Sequence, residues 1–414
     1  MKIAHVLWEF PPMIRGGLGT FGLEIAQRQV AMKNDVTVFS LNDENKLNTS
    51  DTWKGVKVYR PKLLDLTPIF RLSANQELRS WGQNFKFFSD VVSYNFLSAS
   101  QLVKLFSDNG GKSFDIIDGH DWLGIMGGIV AKKELNLPLV FHVHSTETGR
   151  SVGFGSQTIR DIEFEGGQVA DRIITVSYAM KDELEKLGFP SSKIRVCWNG
   201  IDPKKYNPSR ISEKSKKNLR EKYGIKDDEI MLFFIGRLVT VKGADKLVEA
   251  MPSVLKEYPK TKLVLLGIGD MEKDLNNRIK ELGIQKNVII RNEFVDEDER
   301  ILHYAASDIV VLPSLYEPFG IVCTEAMSMA KPVVVGARGT NGFREQIIPD
   351  GDQQCGVHIN PFDPEDISWG IKQILAMEDK GIQLGKHGRQ RAMDVFGWDA
   401  VAKRTFDIYK EIVK

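Results

Sequence analysis

Three segments combine residue types that could do chemistry together. In PSLYEPFGIVCTEAM (313–327), Glu317 and Glu325 are separated by seven residues. The run DIVVLPS before them reads as a strand, so Glu317 lies at a carboxyl strand end. Pro318 and Gly320 keep the chain out of a helix until Ile321 begins one, and Glu325 falls about one turn inside it. The N–H groups from Phe319 to Val322 then form a helix start suited to a phosphate or to sugar hydroxyls. Two carboxylates that accept from vicinal hydroxyls fit a hexose and a ribose. The competing reading, one capping Glu and one surface Glu, does not account for a strand–ExPFG–helix context.

In GRLVTVKG (236–243), Arg237 and Lys242 stand five residues apart on a loop entering a helix. Two cations so placed can neutralise the charge that grows on a diphosphate as a glycosyl–phosphate bond breaks. Taken singly, they read as exposed loop cations. In IRGGLGTFG (14–22), residues 17–22 match the dinucleotide fingerprint formally. A hydride enzyme needs the first glycine at the strand end, yet Gly17 lies nine residues beyond Trp8 with Pro11 and Pro12 between. It also needs an acid at the next strand's end, where only Asp43 is offered. A nicotinamide site is therefore disfavoured. The N–H groups of Gly16 to Gly19 are instead expected to face a diphosphate or a substrate.

His142 and His144 alternate along one strand and share a side. With Asp118 or His120 they suggest a metal, but no third ligand has a recognisable spacing. The triplets Asp296-Glu297-Asp298 and Asp350-Gly351-Asp352 read as a helix cap and a turn. Arg237 and Lys242 already offer the positive charge a metal would bring. The expectation is a site without metal.

These groups need a frame. KIAHVLW (2–8), DVTVFSL (35–41), FDIIDGH (114–120), PLVFHVHS (138–145) and RIITVS (172–177) are apolar runs without strict alternation. Such runs fit strands covered on both faces, hence a parallel sheet. Helical stretches at 20–32, 124–135 and 178–187 separate them, which argues for a doubly wound α/β domain. The pattern restarts at EIMLFFIGR (229–237) and continues through 261–270, 287–294, 308–314 and 331–337. The predicted architecture is two Rossmann-like, doubly wound parallel-sheet domains, 1–200 and 201–397, facing a deep cleft. An amphipathic helix occupies 398–414. Residues 199–224 read as a connection ending in a solvated basic helix. Residues 60–110 break the alternation and carry Phe70, Trp81, Phe85, Phe87, Phe88 and Phe96. Core packing is preferred there to an elaborated rim.

Bulk composition excludes several classes. A chain of 414 residues needs more than one core. Lys plus Arg number 56 and Asp plus Glu 55, and a net charge of only +1 draws it neither to nucleic acid nor to an anionic membrane. The Lys/Arg run 204–222 lacks the interleaved aromatics of a nucleic-acid patch. No apolar run nears the roughly 18 residues of a membrane span. The N-terminus has no long apolar signal region, and Cys197, Cys323 and Cys355 offer no disulfide framework, so a reducing cytoplasm is expected.

The Gly-rich loop, the GRL…KG pair, the E-x7-E segment and GTNGFREQI (339–347) together make the chain resemble retaining GT-B glycosyltransferases. That large group includes bacterial and archaeal glycogen synthases and sucrose-phosphate synthases. WEFPPMIRGGLG (8–19), GHDWLG (119–124) and HVHSTETGR (142–150) resemble the glycogen-synthase-like branch most. The resemblance covers essentially the whole chain. It implies a nucleotide-sugar donor held by the second domain, an acceptor held by the first, and a C-terminal helix crossing back to the first. Position by position it makes Arg237 and Lys242 the diphosphate clamp. Glu317 becomes the hexose carboxylate, with Phe319, Gly320 and Ile321 as backbone donors, and Glu325 the ribose ligand. Gly17 approaches the donor phosphate, and His144 sits near the transferred sugar. Asp121 and Arg15 lie on the acceptor side, Gly339 in a donor-side loop, and Phe294 and Val295 near the base. Arg15 directly precedes Gly16, whereas glycogen synthases carry a lysine two residues before the paired glycines. Thr340-Asn341 stands where many relatives have a further glycine. The implied activity is transfer of a hexose, glucose foremost, from ADP-glucose or UDP-glucose to an α-glucan, with no further cofactor. The alternatives are a sugar-phosphate or envelope-glycan acceptor, a nicotinamide oxidoreductase and a non-catalytic sugar-nucleotide binder.

Overall fold

The structure is a computed structural model that describes residues 1–413, with Ser73 described through its backbone alone. The apolar runs become short strands, and most of the residues in those strands are buried, whereas the edge strand Val288–Arg291 buries only Val288. The chain divides into two compact units. One comprises Met1–Trp198 together with the chain from Trp398 onward, and the other Asn199–Gly397.

The first unit holds β1 (Lys2–Val6), β2 (Asp35–Phe39), β3 (Ser50–Trp53), β4 (Val56–Tyr59), β5 (Ile116–His120), β6 (Leu139–Val143), β7 (Arg172–Thr175) and β8 (Ile194–Val196). They form one sheet in the order β3-β4-β2-β1-β5-β6-β7-β8. Only the edge pair β3–β4 runs antiparallel. The order reverses between β1 and β5, so the loops leaving these two strands diverge and open a crevice. Helix Gly17–Ala31 follows β1 and helix Asp121–Leu135 follows β5.

The C-terminal helix Trp398–Lys410 packs in this unit. Arg28 Nε bonds Asp399 at 2.8 Å, and the Phe21 and Trp398 rings lie 6.1 Å apart. The Cys197 thiol donates to Val401 O at 3.7 Å. All three cysteines are free and buried. Residues 60–110 form helices Thr67–Ser73, Gln76–Ser80 and Asn84–Asp108. The core expectation holds for Phe85 and Phe88, but Phe87 is 44% and Phe96 52% exposed. The 3.6-residue period carries those two to the outer faces of the long helix.

The second unit holds β9 (Ile230–Ile235), β10 (Thr261–Leu266), β11 (Val288–Arg291), β12 (Ile309–Leu312), β13 (Val333–Gly336) and β14 (Gly356–Ile359). The order is β11-β10-β9-β12-β13-β14, all parallel. Its reversal falls between β9 and β12. The GRLVTVKG loop leaves β9 and the ExPFG loop leaves β12, so both flank one switch point. The connection supplies the basic helix Glu213–Lys222. Its neighbouring cations are matched by acids: Lys205 by Glu297, Arg210 by Asp298 and Arg220 by Asp308. Among the described residues, no helix is long and apolar enough to cross a membrane.

Candidate active site

In the second unit, backbone bonds weld the two switch-point loops together. Leu315 N donates to Val241 O at 2.8 Å. Gly243 lies in the left-handed region at φ 70°, and a Cβ there would stand 2.1 Å from Pro313 O, so no side chain fits the seam. This contact brings Lys242 to Glu317 across 75 residues, with Nζ 2.5 Å from Oε2. Ser314 Oγ donates to the same oxygen at 3.4 Å. The two charged side chains are 19% and 10% exposed, which limits water's screening of the pair. Arg237 is exposed, and no carboxylate pairs with it among the described residues.

Helix Ile321–Ser328 starts at Gly320, whose φ is 86°, and no side chain caps it. Its leading N–H groups are therefore available to an acceptor at the carboxyl end of β12. Glu325 falls just past the first turn of this helix, where the sequence reading placed it, and is already engaged there. It is 4% exposed and held inside: Tyr206 OH donates to Oε1 and Tyr304 OH to Oε2, each at 2.8 Å. Arg300 lies 3.7 Å from Oε1. Each oxygen keeps a second lone pair, so a ribose hydroxyl would join an existing network rather than a bare carboxylate.

Sequence reasoning noted Asn341 only as a departure from a further glycine and missed its bracing role. Fully buried, it donates from Nδ2 to Ser314 O at 2.8 Å. Glu317 N donates to Thr340 O at 3.1 Å and Gly342 N to Glu317 O at 2.7 Å. Gln346 Nε2 closes the seam on Phe319 O at 2.5 Å. The 339–347 loop thus braces the ExPFG loop, and the departure to Thr340-Asn341 adds a staple. Gly339 lies at the exposed start of that loop, at φ 68°. Phe294 is 70% exposed and Val295 half-buried. Asp296 caps helix Glu297–Ala306 through Glu299 N at 2.8 Å, as the triplet suggested.

In the first unit, the glycine loop differs from expectation. The helix begins at Gly17 rather than Thr20, and the Glu9 carboxylate accepts from Arg15 N at 3.0 Å and Gly16 N at 3.1 Å. Glu9 occupies part of the anion-binding backbone, which leaves Gly17 to Gly19 as the remaining candidates. Arg15 turns to Asp43 at 3.0 Å. Asp121 is likewise engaged internally, since its Oδ1 accepts from His144 N at 2.7 Å and Ser145 N at 3.3 Å. Its φ is 50°, unusual for a non-glycine residue. Burial pushes its pKa up, against Arg150 and those backbone bonds. Glu163, which the sequence reading did not single out, accepts from Glu147 N with both oxygens and faces Arg150 at 3.2 Å. Burial pushes its pKa up to about 7. Beside Arg15 lies a pocket of about 440 Å³ lined by Trp8, Asn42, Asp43, Asp65, Phe87 and Asp90 among others.

Four histidines meet under the β1–β5–β6 ends: His5, His120, His142 and His144. Two triads bring ligand atoms within 4.8 Å of one another, His120–His142–His144 and His5–Asp118–His120. In the first, the rings stack, 3° apart for His142 and His144 and 16° for His120 and His142. His120 Nδ1 and His144 Nε2 also bond each other at 3.2 Å, so that bond uses a lone pair a metal would need. In the second, His5 Nδ1 and His120 Nε2 bond each other at 3.1 Å, so that bond uses the lone pair a metal would need. Hydrogen bonds join His5, His120 and His144 into one network.

Two parallel-sheet α/β units, each with its functional loops at a switch point, define a GT-B glycosyltransferase fold. The family model for Glycosyl transferases group 1 matches residues 215–391, and that for Glycosyltransferase Family 4 matches residues 15–205. An uncharacterized glycosyltransferase of Methanocaldococcus jannaschii is 32% identical over 99% of this chain and 98% of its own length. A glycogen synthase of Mycobacterium tuberculosis is 27% identical over 99% of this chain and 94% of its own. Among solved structures, a sucrose-phosphate synthase of Thermosynechococcus elongatus superposes with a TM-score of 0.77 at 21% identity, covering 99% and 98% of the two chains. The chain belongs to the group 1, family 4 glycosyltransferases, and it is a transferase enzyme.

Proposed function

We propose that the protein moves glucose from ADP-glucose or UDP-glucose to a hydroxyl of an α-glucan, with retention of configuration and without a metal. The observation that carries this reading is the Lys242–Glu317 pair beside exposed Arg237 and the uncapped helix at Ile321. Arg237, Lys242 and the N–H groups of Phe319, Gly320 and Ile321 would hold the diphosphate. Glu317 would orient the hexose, Glu325 the ribose, and Phe294 and Val295 the base. Gly339 is a further donor-side candidate of the second unit, and Gly17 and His144 are those of the first. Glu317 is committed to a lysine rather than set opposite a second carboxylate, which suits front-face departure. In that mechanism the leaving diphosphate takes the acceptor proton on the face it vacates, and its charge dominates the barrier.

The Trp8–Phe87 pocket supports an uncharged saccharide acceptor. Its cations are already neutralised, Arg15 by Asp43 and Lys86 by Asp90, and Glu44 is paired with Lys46, while Asp65 adds negative charge. A phosphorylated acceptor would meet that charge unfavourably, whereas hydroxyls would donate to it. Asp121 supports this side by fixing the turn at His144. Three free buried thiols agree with a reducing cytoplasm.

The test is a panel of nucleotide sugars, reading released ADP or UDP with glycogen, a hexose phosphate or no acceptor. Glycogen-dependent release that survives EDTA is the expected result. Release only with the phosphorylated acceptor would replace the glucan reading, and loss in EDTA restored by Mg²⁺ would end the metal-free one.

A further inference from the structure

The histidine network in the first unit has a direction. β1, β5 and β6 are neighbours in the sheet, with His5 opposite Asp118 and His120 opposite His142. Because the pleat has a period of two, Asp118 and His120 share a face, as do His142 and His144. Helix Gly17–Ala31 covers that face and brings in Gln29. A single line of hydrogen bonds results. His5 Nε2 meets Gln29 Oε1 at 2.7 Å, His5 Nδ1 meets His120 Nε2 at 3.1 Å, and His120 Nδ1 meets His144 Nε2 at 3.2 Å. Gln29, His5 and His120 are buried, and the line surfaces at half-buried His144.

An amide oxygen only accepts, so His5 must carry its proton on Nε2. Its Nδ1 then accepts, which puts the His120 proton on Nε2. The His120 Nδ1 accepts in turn, which puts the His144 proton on Nε2. We infer that Gln29, His5 and His120 are positioning residues that lock His144 in one neutral tautomer, its Nε2–H turned inward and its Nδ1 left to accept from a sugar hydroxyl. The purpose of the lock, though not the lock, rests on the proposed place of His144 beside the transferred sugar. Burial lowers the His120 and His144 pKa well below the ordinary histidine value, with His142 adding to it, which keeps cations out of the line. Asp118 flanks the line: its Oδ2 accepts from Tyr409 OH, lies 3.4 Å from His142 Nδ1, and stands 3.6 Å from His120 Nε2 and 3.7 Å from His5 Nδ1, outside hydrogen-bond reach of both and on the side that favours a proton on His120 Nε2. The His142 ring stacks on His144 at 4.6 Å and limits its rotation.

The tautomer is readable by two-bond ¹⁵N–¹H correlation on protein labelled at histidine nitrogens, with His144 assigned by loss of its signals in His144→Asn. The expected spectrum has a pyrrole-type Nε2 and a pyridine-type Nδ1 at neutral pH. The reverse pattern, an even mixture or an imidazolium in the wild type overturns the inference without any variant. Gln29→Leu removes the accepting oxygen and should average the two His144 nitrogens, with kcat/KM falling about tenfold, the scale of one lost hydrogen bond. Gln29→Glu retains an acceptor and should restore the wild-type pattern. An unchanged His144 spectrum in Gln29→Leu overturns the role of Gln29. A tautomer shift with unchanged turnover keeps the lock and removes His144 from the sugar.

Discussion

Replacing Lys242 by alanine is predicted to cost stability and turnover by separable amounts. The ammonium is 2.5 Å from Glu317 and mostly shielded, so its removal strands a carboxylate that is 10% exposed. Only the 3.4 Å bond from Ser314 Oγ remains to that oxygen. A stranded group of this kind costs about 1–3 kcal/mol, between the values for exposed and fully buried pairs. Turnover loses a positive group aimed at developing diphosphate charge, which by analogy with one oxyanion donor is about 100- to 1,000-fold, or roughly 3–4 kcal/mol of barrier. Urea denaturation reads the first quantity and initial rates at saturating donor read the second. Glu317→Gln distinguishes them further. It frees the ammonium, so stability should fall less while the donor KM rises. The double variant should show a coupling of about 1–3 kcal/mol in stability. A folded Lys242→Ala protein whose kcat stays within about threefold of wild type would falsify the clamp.

Other consequences follow from individual geometries. Gly320→Ala places a Cβ 2.1 Å from the buried Phe343 ring at φ 86°, so unit 2 should lose about 3 kcal/mol or more. An unchanged denaturation midpoint would show that the ring yields freely. Asn341→Ala leaves Ser314 O without its 2.8 Å donor and should cost about 1–3 kcal/mol and raise the donor KM. A variant equal to wild type in both removes the staple. Glu163 has a folded pKa of about 7 against an ordinary 4.5. Between those values the folded state keeps a proton that the unfolded chain has lost, so stability falls as pH rises, by about 3 kcal/mol in all. Glu163→Gln should therefore raise Tm at pH about 8 and leave it nearly unchanged at pH about 5. The same pH slope in both proteins would contradict the assignment.

The GRLVTVKG and ExPFG clusters were legible because each is local: strand, glycine turn and helix start occupy one continuous segment. The strands were legible for a related reason, since runs such as IVVL and VVVG fit only a position covered on both faces. What closes across the chain was not legible. Glu9 fills part of the glycine loop, Tyr206 and Tyr304 absorb Glu325, and Asn341 braces a loop 27 residues before it. The histidines could be seen to alternate along a strand, but Gln29, which gives their protons a direction, comes from another element. By itself the sequence determined which groups were present and which local backbone would carry them. Only the tertiary structure decided which lone pairs and charges were already taken. Pairing of buried polar groups is a long-range matter, because a desolvated group takes whatever partner packing brings within about 3 Å, whatever its place in the chain.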